Sequence, residues 1–404
     1  KNEPIDLLSV STKLKEKNQL EAVGGRSYIA ELTSSVPAST NVKHYAQIVF
    51  KKNVLRKLIE AGEFMAETAF AESSDAVEDI LDVVEKKVFA VTNAGGGDKK
   101  FVSIKQSLHE TWEEIEKLQE NKGGMRGVPT GYPALDNLLA GLQKSDLIIL
   151  AARPSVGKTT LALDIARNAA TQHGKSVAIF SLEMSANQLT QRMLAAESKV
   201  NAWKLRTGKL TAEQDFSALR DALNELSKAK IFIDDQAGNS IMKMKSVSRK
   251  MKSEHGLDLI VVDYLQLMMT SKNHDSMVNQ VTEISRSLKG LARELDVPVL
   301  ALSQLSRAVE SRGGKPRLSD LRDSGSIEQD ADVVMFIHRE DRAGNTRSDT
   351  ESTGMTEVLI EKHRNGPLGK ADLYFDEKNS TFMSIENHMQ GYVAATQSGA
   401  DSAF

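Results

Sequence analysis

The residues best suited to chemistry in this 404-residue chain lie between Ala151 and Thr160, AARPSVGKTT. An apolar run, Leu147–Leu150, leads straight into them and a helical pattern follows, giving the order strand, loop, helix. In that order the backbone N–H groups around Ser155 to Gly157 can cradle phosphate oxygens, helped by the positive end of the helix dipole. Lys158 is then placed to reach the β- and γ-phosphates of ATP, and the Thr159 hydroxyl to hold Mg2+. The usual pattern has glycine where Ala152 stands; that position asks for a small residue more than for left-handed dihedrals, and alanine meets the demand.

Two carboxylates complete such a site. Leu259–Asp263 (LIVVD) is four apolar residues ending in an acid, which puts Asp263 at the C-terminal edge of a buried strand, where it can bind the magnesium. Many P-loop ATPases carry a water-activating glutamate immediately after this aspartate, but Tyr264 occupies that position, so the base must come from another strand. Glu183, just past the apolar run Val177–Phe180, lies at the same edge and can polarise the attacking water. Its other reading is a first-turn glutamate stabilising a helix dipole; the missing acid after Asp263 favours catalysis. Gln304 ends a further apolar strand, as a γ-phosphate sensor or a strand-end cap.

These residues need a sheet to hold them. The short apolar runs Leu147–Leu150, Val177–Phe180, Ile231–Ile233, Leu259–Val262 and Val299–Leu302, separated by helical segments, predict buried parallel strands with crossover helices. Val333–His338, Glu357–Lys362 and Asp372–Phe375 are three further strand-like pieces. Residues 129–386 therefore read as an α/β ATPase domain, and the small polar residues 387–404 as a disordered tail.

Residues 1–93 are helical in pattern: Leu7 to about Lys17, capped by Asp6 and closed by Gly24 and Gly25; Asn41 to about Ala71; and Asp75–Val91. The second of these gathers Tyr45, Ile48, Val49, Leu55, Leu58 and Ile59 on one side, and the third turns Val77, Ile80, Leu81, Val84, Val88 and Phe89 inward. Residues 94–128 form a linker, with loose joints at Ala94–Lys100 (AGGGDKK) and Asn121–Gly127. Between the joints, a helix from Ser103 to about Glu120 carries a stripe of Ile104, Leu108, Trp112, Ile115 and Leu118. That stripe either packs on its own core or docks on a neighbouring subunit. Lys1 stands where a methionine would start a chain and falls inside a continuing element, so the natural start is expected upstream.

Composition narrows the classes. No cysteine is present, which excludes disulfides and thiolate metal sites and fits a reducing cytoplasm. No apolar stretch approaches a membrane span of roughly 18 residues. With 52 basic and 55 acidic residues the net charge is −3, so any nucleic-acid contact must come from locally gathered cations. Leu305–Asp323 offers one such place: five basic residues (Arg307, Arg312, Lys315, Arg317, Arg322) against three acids, loosened by Gly313, Gly314 and Pro316. No aromatics interleave, which favours phosphate contact over base stacking.

Several of these segments, in this order, resemble the replicative DNA helicases of the DnaB type: Pro129–Asp136 (PTGYPALD), Ala151–Thr160, Phe180–Ser185 (FSLEMS), Val262–Leu267 (VDYLQL), Leu302–Arg307 (LSQLSR), Asp323–Asp332 (DSGSIEQDAD) and Lys362–Pro367 (KHRNGP). Asn2–Asp6 (NEPID) and Val23–Gly25 (VGG) resemble the later helices of that family's N-terminal domain, and the first helices of that domain are expected to be missing. The resemblance implies a RecA-like P-loop core working as a homohexameric ring around single-stranded DNA, with ATP between adjacent subunits, 5′ to 3′ movement, and primase and a helicase loader as partners. It assigns Ser155, Gly157, Lys158, Thr159, Thr160 and Arg192 to the nucleotide, Glu183 to water activation, Asp263 to magnesium, and Gln304 to sensing. Lys362 and Arg364 are implied to reach the γ-phosphate of the neighbouring subunit. The bland alternative pairs Arg364 with an acid of its own domain, such as Glu361 or Asp372. Arg322, Asp323 and Gly325 map to the DNA loop; the family usually has glutamate where Asp323 stands. The competing readings are a RecA-type recombination or repair ATPase, a small-molecule P-loop kinase, and a scaffold using ATP as a switch.

Overall fold

The structure is a computed structural model describing residues 7–17, 19–35, 42–71, 80, 83–84, 87–88, 103–120, 125–210, 213–236, 240–268, 277–306, 309, 312, 314–321, 325–339 and 354–385. The expected cap Asp6, the helix interior at Val77, Leu81 and Phe89, and the tail 387–404 lie outside these residues. The chain divides into two compact units, Lys1–Glu114 and Ile115–Phe404.

The first unit contains α1 (Leu7–Glu16), α2 (Gly25–Ser35) and α3 (Val42–Phe70); α1 and α3 lie close to the bounds the periodicity predicts. On α3 the apolar side formed by Ile48, Val49, Leu55, Leu58 and Ile59 is exposed. Ile80, Val84 and Val88 are half-buried. The linker helix α4 (Ile104–Glu120) has its expected bounds; Ile104, Leu108, Trp112 and Ile115 of its stripe are each at least half exposed, and the side chain of Leu118 lies outside the described residues.

The second unit is built on a nine-stranded sheet of order β3-β2-β4-β5-β1-β6-β7-β8-β9. Its helices and strands alternate: α5 (Pro133–Leu139), β1 (Leu147–Ala152), α6 (Lys158–Thr171), β2 (Val177–Ser181), α7 (Ala186–Ser198), α8 (Ala202–Thr207), α9 (Glu213–Lys228), β3 (Ile231–Asp234), α10 (Ile241–His255), β4 (Leu259–Asp263), α11 (Met277–Leu295) and β5 (Val299–Gln304). Then come a short helix, α12 (Gly325–Asp330), and β6 (Val333–His338), β7 (Met355–His363), β8 (Gly369–Asp376) and β9 (Thr381–Ser384). Pairings from β3 through β6 are all parallel, and those of β7, β8 and β9 antiparallel.

The apolar runs are continuous because both sheet faces are covered. In β1 the alternation splits them: Ile148, Leu150 and Ala152 enter one core with α6, while Leu147, Ile149 and Ala151 enter the other with α10 and α11. All six residues are buried. β3, at the sheet edge, is half-buried throughout, unlike the fully buried strand expected from its composition. β9 is not legible in the sequence. It is four residues long with two polar positions, and its pairing with β8 and the burial of Phe382 make it a strand. This strand order around a strand-loop-helix phosphate motif is a RecA-like ATPase architecture.

Candidate nucleotide site and a distant pair of cations

The phosphate loop follows β1 at the C-terminal edge of the parallel strands, the edge where open α/β sheets bind ligands. Ser155 and Gly157 both take positive φ (64° and 108°), which turns the loop so that α6 starts at Lys158. Gly157 is required twice over: the backbone is left-handed, and a Cβ there would meet the Phe382 ring at 2.8 Å. The register brings the other chemical residues to the same edge. Ala152 lies beside Gln304, and Ser181 beside Asp263. The Leu182 N–H donates to the Asp263 carbonyl at 2.8 Å, carrying Glu183 just past that edge.

A cavity of about 540 Å³ opens there, and its lining includes Ser155, Gly157, Lys158, Thr159, Thr160, Glu183, Arg192 and Gln304. Asp263, 3% exposed, sits beneath: the Thr159 hydroxyl donates to its Oδ2 at 2.9 Å, while its Oδ1 is buried without a hydrogen-bond partner. Burial pushes the Asp263 carboxyl up, against the pull of Lys158 and of the Thr159 hydroxyl. Burial likewise brings the Lys158 ammonium down, with Asp263 and Glu183 pulling the other way. A half-dehydrated cation beside a carboxylate with an open lone pair is an arrangement that a metal-bound polyphosphate would complete.

Glu183 is not in a helix first turn. The following helix, α7, begins at Ala186 and is capped by Ser185, whose side chain accepts from the Gln188 N–H in a capping box. The helix-dipole reading of Glu183 therefore loses its geometric basis. Arg192, in the second turn of α7, stands between the main cavity and an adjoining one of about 490 Å³ that reaches Trp203 and Arg206. Sequence reasoning missed Arg153, Tyr264 and Phe375. Arg153 Nη1 donates to the Leu305 carbonyl at 2.8 Å, tying the phosphate loop to the segment after Gln304. The Lys158 ammonium sits 4.7 Å from the Tyr264 ring centre, and Phe375 lines the cavity from β8. Arg153 was visible inside the loop motif; Phe375 gave no signal, because only strand pairing brings β8 there.

Lys362 and Arg364 are elsewhere. His363 pairs with Val333, and Val333 with Ile148, so the end of β7 lies at the start of β1, opposite the phosphate loop. Arg364 is half exposed; its Nη1 meets Asp332 Oδ1 at 3.2 Å and its Nη2 donates to the Gln329 carbonyl at 2.5 Å. The intrachain partner is thus Asp332, not Glu361 or Asp372. Lys362 Nζ donates to the Glu328 and Gln329 carbonyls. Burial, then the neighbouring Arg364, brings the Lys362 ammonium down.

Of the residues expected at DNA, Gly325 begins α12, while Arg322 and Asp323 lie outside the described residues. Two cations counted as phosphate contacts are engaged within the chain: Arg312 with both oxygens of Asp320 (2.9 and 2.7 Å), and Lys315 with Glu357 at 2.5 Å.

Comparison with known proteins supplies the deciding observation. Residues 127–384 match the DnaB-like helicase C terminal domain and residues 1–51 the DnaB-like helicase N terminal domain. The chain belongs to the DnaB-like helicase family. It is 46% identical over 388 residues to the replicative DNA helicase DnaC of Bacillus subtilis, covering 96% of this chain and 84% of that protein. Against the replicative DNA helicase DnaB of Geobacillus stearothermophilus the identity is 47% with the same coverage. A solved DnaB-like replicative helicase described with its interactions with primase superposes with a TM-score of 0.71 at 34% identity, covering 95% of this chain and 88% of that one. This DnaB-like chain is an ATP-dependent DNA helicase of the replicative type, and the recombination-ATPase alternative is set aside. No described helix is long and apolar enough to cross a membrane.

Proposed function

We propose that the chain works as a hexameric ring that hydrolyses ATP between subunits while moving along single-stranded DNA. The observation that carries this reading is the convergence of Lys158, Thr159, Asp263, Glu183 and Gln304 on one edge of the sheet, with Lys362 and Arg364 at the other. β1 spans six residues, so the two edges are roughly 17 Å apart. Arg364 cannot serve its own phosphate loop across that span, but a neighbouring subunit in a ring can present it. Around the bound nucleotide, the loop N–H groups from Ser155 to Gly157 hold the phosphates and Lys158 neutralises the β- and γ-oxygens. Arg192 lies along the nucleotide, and Thr160, in the first turn of α6, adds to the loop end. Glu183 takes the proton of the attacking water. Gln304 reports the γ-phosphate to the segment that follows it.

Mg2+ fits the residues present. Thr159 and the unpartnered Asp263 Oδ1 would hold it, with water and phosphate oxygens filling most of its shell. Bound there, Mg2+ would neutralise charge developing on the β- and γ-oxygens. Arg322, Asp323 and Gly325 contact the DNA backbone, the exposed α4 residues dock on the adjacent subunit, and primase and a helicase loader are partners; a cytoplasmic location goes with this role. The domain limits 1–93, 94–128, 129–386 and 387–404 describe the same division of labour. The test is ATP hydrolysis with and without single-stranded DNA, followed by unwinding of a forked duplex. Turnover indifferent to DNA, with no unwinding, overturns the reading.

A further inference from the structure

The cations at the N-terminal edge of the sheet have a seat of their own. Arg364 makes three contacts with one short stretch: its backbone N–H donates to the Asp332 carbonyl at 2.9 Å, its Nη1 pairs with Asp332 Oδ1, and its Nη2 donates to the Gln329 carbonyl. Lys362 adds two more to Glu328 and Gln329. Glu328 and Gln329 lie in the last turn of α12, whose carbonyls a helix leaves unsatisfied and which favour positive charge. Asp332 is a fixed anchor. It is 4% exposed, and its Oδ2 accepts from the Leu147 N–H at 2.8 Å and from Lys289 Nζ, leaving Oδ1 aimed at Arg364. The Ser285 hydroxyl, on α11, donates to Asp330 Oδ2 at 2.6 Å and pins the same short element.

We infer that Asp332 is a positioning residue for Arg364, holding its guanidinium against the last turn of α12. The inference rests on Arg364 acting in trans. An exposed arginine has many rotamers, and holding it in one shape before the neighbour's nucleotide arrives removes an entropy cost from the transition state. To reach a phosphate the guanidinium gives up the Gln329 carbonyl and keeps Asp332 Oδ1, so its plane stays oriented while its free edge turns outward.

The test is a double-mutant cycle on intact hexamers. Asp332→Asn is expected to turn its single oxygen toward the Leu147 N–H and Lys289 and its amide toward Arg364, which lowers DNA-stimulated kcat about tenfold with KM for ATP unchanged. In an Arg364→Ala background, Asp332→Asn is expected to cost nothing further, since its effect passes through the arginine. An equal fold-loss in both backgrounds means that Asp332 only supports the sheet edge, and overturns the inference. Arg364→Ala turning over at the parent rate means instead that the trans reading of Arg364 has failed. If Asp332→Asn does not fold, hydrogen exchange on Arg364→Ala decides: faster exchange across residues 325–332 supports the seat, and unchanged exchange overturns it.

Discussion

The two ends of β1 hold similar cations in opposite conditions. At the C-terminal end, Lys158 faces an open cavity, its charge held between Asp263 and Glu183, and Asp263 keeps an oxygen without a partner. At the N-terminal end, Lys362 and Arg364 are already satisfied by backbone carbonyls and by Asp332. One end keeps a buried acceptor without a protein partner beside a cation; the other is complete within its own chain. An unpaired buried acceptor is costly, and at Asp263 it lies beside the Lys158 ammonium and the Thr159 hydroxyl, a combination that the satisfied cations at the other end do not share.

The largest effect should come from mixing. Arg364→Ala and Lys158→Ala are each expected to lose on the order of a thousandfold in DNA-stimulated turnover or more. In mixed rings, some junctions bring an intact arginine to an intact phosphate loop, and hydrolysis returns. Steady-state ATPase across mixing ratios, with hexamer content checked at each, reads this out. Activity equal to the sum of the parents in proven mixed rings would tie Arg364 to its own subunit and break the contrast between the two ends.

Glu183→Gln addresses the C-terminal end. The amide keeps the shape but cannot accept a proton, so turnover should fall by roughly 10²–10⁴ while ATP still binds. Parent-rate hydrolysis in that variant would mean that Glu183 is not the base.

A trans arginine needs neighbours in register, and the exposed α4 residues are the candidate tie. Replacing Leu108 and Trp112 by Ala removes two large apolar side chains, each worth about 1.5–3 kcal/mol if buried between subunits. Sedimentation velocity should show rings dissociating at higher protein concentration than the parent's. Unchanged hexamer stability would leave the stripe without that role.

The smallest effect lies beneath the satisfied cations. Burial, then the nearby Asp332, pushes the Asp146 carboxyl up to about 6, against Lys289, His363 and Arg364. The folded state therefore holds this proton more tightly than the unfolded chain. Its stabilising contribution is full below the ordinary value of 3.8 and is lost as pH rises through about 6. Asp146→Asn, which cannot ionise, should spare the full chain that loss, at most about 3 kcal/mol, in urea unfolding compared at pH 4.5 and 7. Identical pH slopes in the two proteins would show that Asp146 is not the titrating group.

Much of the nucleotide end was legible from residues alone. Loop, strand and helix are contiguous there, so the order of AARPSVGKTT after Leu147–Leu150 dictates the local geometry. Asp263 and Glu183 were singled out because each follows an apolar run, and parallel strands bring such ends to one edge, where the structure places both. The family resemblance supplied Arg192, Lys362 and Arg364, which spacing alone does not single out.

The sequence by itself determined the sheet's parallel core, the turn between β1 and α6 and the placing of two acids at the same edge, because these depend on short-range patterns: apolar runs, a glycine at a left-handed turn, and an acid at a strand's end. Tertiary structure alone decided β9, the aromatic Phe375 over the cavity, the half-burial of edge strand β3, and the union of Arg364 with Asp332 and Gln329. Gln329 stands 35 residues from Arg364 along the chain, and Asp332 stands 32. No local preference encodes such a meeting. It follows from β6 and β7 lying antiparallel, so that the residue before one strand and the residue after the other end at the same edge.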